Sequence, residues 1–218
     1  MDRSYWQTRW NEGRIAFHQP SPNPTLVRYM ERASGGGASR VLVPLCGKSR
    51  DMVTLADQGC SVVGVEAVEL AVEAFFRENE MAPARTTLGE TTRYEAGPFT
   101  LFAGDFFAIS RADVGDVSWA YDRAALYAMP PRTRDAYAKH LLELLPVGGR
   151  VLLLTFGYDQ SKMEGPPFSV GRSDVERLFG DTCVVELLEA REIIAESPRF
   201  QARGLDSIEE AAFLLTKR

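Results

Sequence analysis

The sequence is poor in the residues that build metal centres and cross-links: two histidines and three cysteines in 218 residues. Cys46, Cys60 and Cys183 lack the close spacing of a zinc site or a disulfide framework, which predicts reduced thiols in a cytoplasmic protein. His18 and His140 stand too far apart in sequence to suggest a metal site, so none is expected. No window approaches the roughly 18 uninterrupted apolar residues of a membrane span, and the opening MDRSYWQTRW has no apolar signal core. Dense Lys/Arg runs are missing too. With a formal charge of -5, this argues against a nucleic-acid partner. There is no internal repeat and no low-complexity tail.

What is present suits one folded domain spanning 1–218, with 45% hydrophobic and 25% charged residues. After the punctuation PSPNP, a helix is predicted from residue 25 to about 33, stopped by the glycines at 35–37. RVLVPL reads as a buried strand, DMVTLADQG as a helix and CSVVGVE as a second buried strand. VELAVEAFFRENE is an amphipathic helix. Further strands are read in FTLFAGDFF, VSWAYDRAAL, RVLLLTF, VVELLEAREI and EEAAFLLTKR, with helices in TRDAYAKHLLELL and SDVERLF. The alternation predicts an α/β fold: a doubly wound, mostly parallel, seven-stranded sheet with helices on both faces. The last two strands, joined without a clear helix, are candidates for an antiparallel edge. Between the amphipathic helix and FTLFA only a short loop around Glu95 is expected.

The informative stretch is RVLVPLCGKSRDMVTLADQGCSVVGVE, from Arg40 to Glu66. Gly47-Lys48-Ser49 has the ending of a phosphate-binding loop, but Leu42 stands where that motif needs its first glycine. Pro44-Leu45 likewise replaces the first glycine turn of a dinucleotide fingerprint. What remains is a strand, a tight turn at Cys46-Gly47, a helix, and a second strand ending in Glu66. Ligands of doubly wound sheets cross the carboxyl ends of the strands. A carboxylate there accepts both hydroxyls of a ribose, and without a phosphate nest the site suits a nucleoside. Asp105 and Phe106, ending the third strand, are placed for an adenine edge and face. The alternatives are that Glu66 caps the following helix and that Phe106 is core. S-adenosylmethionine fits this pattern, since methyl transfer from it needs alignment and water exclusion rather than a metal or enzyme nucleophile. Cys46 reads as a buried small hydrophobe.

An ordered set of motifs follows the chain: Trp6-x-x-Arg9-Trp10, Gly13, Phe17-His18, Pro44-Leu45-Cys46-Gly47-Lys48 and Gly64-Val65-Glu66. It continues with Asp122-Arg123-x-Ala125-Leu126 and Gly165-Pro166-Pro167-Phe168. In this set the chain resembles the thiopurine S-methyltransferase family of class I S-adenosylmethionine-dependent methyltransferases. The resemblance implies that residues 1–24 form a lid, with Trp6 and Trp10 over the cofactor. It implies that Leu45 and Gly47 belong to the turn against the methionine portion, that Glu66 holds the ribose, and that Asp105 and Phe106 contact adenine. Arg123 would line the acceptor pocket near the transferred methyl, touching cofactor and acceptor, with Asp122 beside it. Phe17, Pro166, Pro167 and Phe168 would give apolar walls. Trp6 and Trp10, four residues apart, share a helix face, and simple packing is their alternative. For Arg123 the alternative is a salt bridge at a strand end, and for Asp122 the closing of a turn. One departure from the family is Gly157, where many bacterial relatives carry an acid.

The resulting expectation is a monomeric, cytoplasmic enzyme that methylates the sulfur of a small aromatic or heterocyclic thiol, with selenium or tellurium species as further acceptors. Nucleic acid and membrane are not expected partners. The rivals are a halide or small-thiol methyltransferase and a non-catalytic sensor of S-adenosylmethionine.

Overall fold

The computed structural model describes residues 3–15, 18–37 and 39–218. The chain divides into two compact units, Asp2–Ala120 and Tyr121–Arg218.

In the first unit, helix α1 (Arg3–Asn11) precedes α2 (Pro24–Ser34). The punctuation PSPNP works as an N-cap: the Asn23 side chain accepts the Thr25 N–H at 2.9 Å, and Pro24 opens the helix. Gly35, left-handed at φ 83°, closes it. Strand β1 (Arg40–Pro44), helix α3 (Arg50–Asp57), strand β2 (Ser61–Glu66) and helix α4 (Glu69–Glu78) follow. β1 and β2 pair in parallel, and β2 pairs in parallel with β5 (Phe99–Ala103). Their inner residues, Val41, Leu42, Val62, Val63 and Leu101, are fully buried, as continuous apolar runs require. The start of β6 (Trp119–Arg123) pairs in parallel with β1, and the short α5 (Arg111–Val114) precedes it.

Where only a loop around Glu95 was expected, the chain forms a hairpin of β3 (Ala84–Leu88) and β4 (Thr91–Ala96), and β4 runs antiparallel to β5. Every residue of β3 is exposed, so no apolar alternation marked it as a strand.

In the second unit, α6 (Ala125–Ala128), α7 (Arg134–Glu143), β7 (Arg150–Gly157) and α8 (Arg172–Phe179) lead to β8 (Cys183–Glu192). The one-turn α9 (Pro198–Gln201) and the last strand, β9 (Glu209–Lys217), complete it. β9 lies antiparallel to β7 on one side and to β8 on the other. The predicted antiparallel edge is there, but β9 has inserted between its two partners. Only a 3₁₀ turn and α9 join β8 to β9, not a helix able to carry a parallel crossover.

The strand order is β3-β4-β5-β2-β1-β6-β7-β9-β8. The sheet is therefore nine-stranded and mixed, which corrects the expectation of a mostly parallel, seven-stranded one. The two extra strands are the polar hairpin, and the antiparallel pairs come from that hairpin and from β9.

Gly64 is required by packing: a Cβ there would lie 2.6 Å from Leu101 Cδ2 and 2.7 Å from Cys46 Sγ. Gly64→Ala is expected to lower stability by about 1–3 kcal/mol through overpacking, read as a lower denaturant midpoint with an unchanged slope.

Candidate functional site

The turn after β1 is the most constrained segment of the first unit. Leu45 has φ 46° and Gly47 φ 54°, both in the left-handed region. For leucine that conformation costs on the order of 1 kcal/mol, and surrounding contacts must hold it. The Cys46 N–H donates to the Val65 carbonyl at 3.0 Å, and the Gly47 N–H to Glu66 Oε2 at 2.9 Å. Glu66 Oε1 accepts the Val68 N–H at 2.9 Å, at the start of α4. Glu66 thus serves the following helix and the preceding turn together. It is 6% exposed. Burial raises its pKa, and the N–H groups of Val68, Gly47 and Ala67 oppose that rise. Each carboxylate oxygen accepts two hydrogen bonds, so capacity remains beyond these contacts.

Lys48 and Ser49, the two residues that imitated a phosphate loop, have structural partners. Lys48 Nζ lies 2.6 Å from Glu78 Oε1, and Ser49 Oγ caps α3 by accepting the Asp51 N–H at 3.2 Å. The Cys46 thiol is buried, and desolvation followed by the Glu66 charge pushes its pKa well up. It packs as a small apolar group and is a poor nucleophile at neutral pH.

Helix α1 lies over this turn. A Cβ on Gly47 would meet the Trp10 ring at 3.4 Å, so the indole covers the glycine. Trp10 is buried with Val68 and Ala71, and Trp6, Ile15 and Leu70 pack against that cluster. Arg9 Nε is buried with no hydrogen-bond partner among the described residues. Phe17 lies outside the described residues.

Asp105 follows β5 and caps a 3₁₀ turn, its Oδ1 accepting the Phe107 N–H at 3.1 Å. Phe106 is 2% exposed, a core ring, whereas Phe107 faces outward. FF gave no indication of which ring turns inward.

In the second unit, β6 ends in Asp122 and the partly buried Arg123. The next residue, Ala124, has φ 85°, a second strained turn at a strand end. Asp122 is wholly buried and closes that turn: Oδ1 accepts the Ala125 and Leu126 N–H groups at 3.0 and 3.2 Å. Its Oδ2 accepts the Tyr137 hydroxyl at 2.7 Å. Burial raises its pKa to about 6 against these three hydrogen bonds. The segment Pro166-Pro167-Phe168 is tied down by Phe168 N–H donating to the Tyr127 carbonyl at 2.7 Å and Tyr158 Oη donating to the Pro167 carbonyl at 2.6 Å. A Cβ at Gly157 would lie 3.7 Å from Gly171 Cα, an ordinary contact, so packing does not demand glycine there. Neither Tyr127 nor Tyr158 stood out in the sequence, because no local pattern shows which residues a distant loop leans on.

The residues fit S-adenosylmethionine. A buried carboxylate with spare acceptor capacity ends β2, a glycine turn lies under an indole, and a guanidinium N–H with no hydrogen-bond partner among the described residues sits on the covering helix. The fold defines the class. Over 99% of this chain and 86% of the other, it superposes on a 1,6-didemethyltoxoflavin-N1-methyltransferase from Burkholderia thailandensis with TM-score 0.65 and 17% identity. A SAM-dependent methyltransferase from Anabaena variabilis gives TM-score 0.64 at 14% identity, covering 99% of this chain and 95% of that one. This is the class I methyltransferase fold, with a Rossmann-like sheet.

Within that class, the family model for thiopurine S-methyltransferase matches residues 1–218, and the chain belongs to that family. It is similar to the thiopurine S-methyltransferase of Nitrosospira multiformis, 46% identical over 219 residues, with 100% of this chain and 99% of the relative covered. The thiopurine S-methyltransferase of Azotobacter vinelandii is 46% identical over 218 residues, with both chains covered in full.

The raised pKa of Asp122 has a consequence for stability. An acid whose folded pKa exceeds its unfolded value binds more protons when folded, so stability falls as pH rises between the two values. Asp122→Asn keeps an acceptor for both N–H groups and removes the charge. The variant is expected to gain stability relative to the wild type between about pH 4 and pH 6, by up to about 3 kcal/mol, and to hold the gain above that. Urea unfolding at several pH values measures it; a difference independent of pH would contradict the assignment.

Proposed function

We propose that this protein is an S-adenosylmethionine-dependent S-methyltransferase acting on a small aromatic or heterocyclic thiol of the thiopurine kind. The observation that carries the reading is the Glu66 carboxylate, buried and oriented at the end of β2, in a chain whose relatives are thiopurine S-methyltransferases along its whole length. When bound, S-adenosylmethionine supplies a methyl group on a sulfonium, open to in-line displacement.

Glu66 would accept the ribose hydroxyls, and its two backbone donors preset its orientation. Leu45 and Gly47 would flank the methionine portion under Trp6 and Trp10, with residues 1–24 as the lid. Asp105 would recognise the adenine edge. The Phe106 ring is committed to the core, so its backbone would make the base contact. Aromatic and heterocyclic thiols ionise readily, so the acceptor needs little help from a general base. The Arg123 guanidinium, always charged, would favour the thiolate and hold it. Asp122 acts by position: its oxygens fix the turn that presents Arg123. Phe17, Pro166, Pro167 and Phe168 would wall the acceptor. A cytoplasmic location is the reading that three buried, free cysteines support, and the net charge of -5 speaks against a nucleic-acid partner. Among the described residues, no helix is long and apolar enough to cross a membrane.

The test is transfer of a labelled methyl group to a panel of a thiopurine, thiophenol, iodide, selenite and tellurite. Label on the two thiols, with S-adenosylhomocysteine formed in equal amount, is expected. Preferred turnover of iodide would make it a halide methyltransferase, and cofactor binding without any transfer would make it a sensor. Glu66→Ala should raise the dissociation constant for S-adenosylmethionine at least about tenfold, because charged hydrogen bonds to the ribose are lost. Arg123→Ala should lower kcat/KM for thiols about tenfold to a hundredfold, the size of one charge-assisted contact. Unchanged values in titration calorimetry or steady-state kinetics would remove those roles.

A further inference from the structure

Past Arg123 the chain turns through Ala124 into α6, where Tyr127 is partly buried. Its ring leans on Phe156 with centroids 4.8 Å apart, and Phe156 meets Phe200 edge-on at 5.6 Å. Tyr127 therefore continues an aromatic row that ends the cluster of Phe156, Met163, Ile193, Phe200, Leu205 and Ile208. Its carbonyl accepts the Phe168 N–H, which ties the Pro166-Pro167-Phe168 segment to this residue, and the Arg123 charge acts on its phenol.

The phenol hydroxyl is different. It makes no hydrogen bond to any described residue. Tyrosine hydroxyls in such positions ordinarily find a partner. The charged groups acting on it are Arg123, Glu210, Arg199 and Asp122. Desolvation dominates over them and pushes its pKa up to about 12, so the group stays neutral and able to donate at neutral pH.

We propose that Tyr127 is a specificity-determining residue on the acceptor side, its ring forming one wall and its hydroxyl donating to a ring nitrogen or ring carbonyl of a heteroaromatic thiol. The inference rests on the thiol-methyltransferase reading and deepens it. The apolar row accepts any flat ring of suitable size, while the hydroxyl distinguishes rings that carry a hydrogen-bond acceptor from those that do not. A site that satisfies a polar group on its substrate discriminates against substrates lacking it.

Tyr127→Phe tests this, because it removes only the hydroxyl and keeps the ring on Phe156. Wild type and variant are compared on a thiopurine, which has ring nitrogens, and on thiophenol, which has none. The ratio of kcat/KM for thiopurine to that for thiophenol is expected to fall about three- to tenfold, the worth of one neutral hydrogen bond. The change should lie in KM for the thiopurine, with its kcat kept. An unchanged ratio overturns the inference, as does an equal loss on both thiols, which would mark a structural role. If the wild type methylates neither thiol, the functional reading fails and this inference goes with it. If it methylates both and the ratio does not move, only the role of Tyr127 fails.

Discussion

A buried carboxylate holds the carboxyl ends of β1 and β2 together in the first unit. Glu66 joins the Gly47 N–H, in the turn after β1, to the Val68 N–H, at the start of α4. Taking a carboxylate out of water is costly unless its lone pairs are met by donors. Here two backbone N–H groups meet it at 2.9 Å each, and in return it fixes two chain segments that are far apart in sequence. Beneath the turn, Cys46 Sγ fills the space that a side chain at residue 64 would need. Above it, Trp10 covers Gly47. Small residues below and an indole above leave the carboxylate as the polar centre of an otherwise apolar neighbourhood.

The second unit repeats the device at its own strand end. Asp122 is buried at the end of β6, and it accepts the first N–H groups of the helix that follows. In both units a left-handed, non-glycine residue lies close by, Leu45 in one and Ala124 in the other. Strain of this kind persists where surrounding bonds over-determine the backbone, and strand ends that present functional groups are where it gathers. The two acids differ in their second oxygen. Glu66 spends it on the Gly47 N–H of a turn covered by an indole, whereas Asp122 spends it on the buried Tyr137 hydroxyl. That difference separates a carboxylate whose bonds all go to backbone from one that also ties down a buried phenol.

Some of this was legible in the chain. RVLVPL and CSVVGVE are buried on both faces, and continuous apolar runs between turn residues are the mark of such strands. PSPNP and the glycines after it announced α2 because caps are local chemistry. Glu66 was found by its position at a strand end; both of its oxygens accept backbone N–H groups, one of them at the start of α4, and each keeps a further lone pair. The hairpin β3–β4 escaped notice since ARTTL is exposed throughout and its pairing comes from the backbone. The insertion of β9 between β7 and β8 escaped for a related reason: alternation identifies a strand and carries no information about which strands will flank it.

By itself the sequence determined the α/β class, the turn-and-carboxylate pair, and family membership through motifs in a fixed order. These follow from residue identity at short range or from order along the chain, both of which a sequence carries in full. Tertiary structure decided the nine-stranded mixed sheet, which of two adjacent phenylalanines turns inward, what Lys48 and Ser49 are bonded to, and where a tyrosine hydroxyl has no partner among the described residues. Each of those depends on which distant segments meet, and contact across long loops is settled by packing of the whole chain rather than by any local pattern.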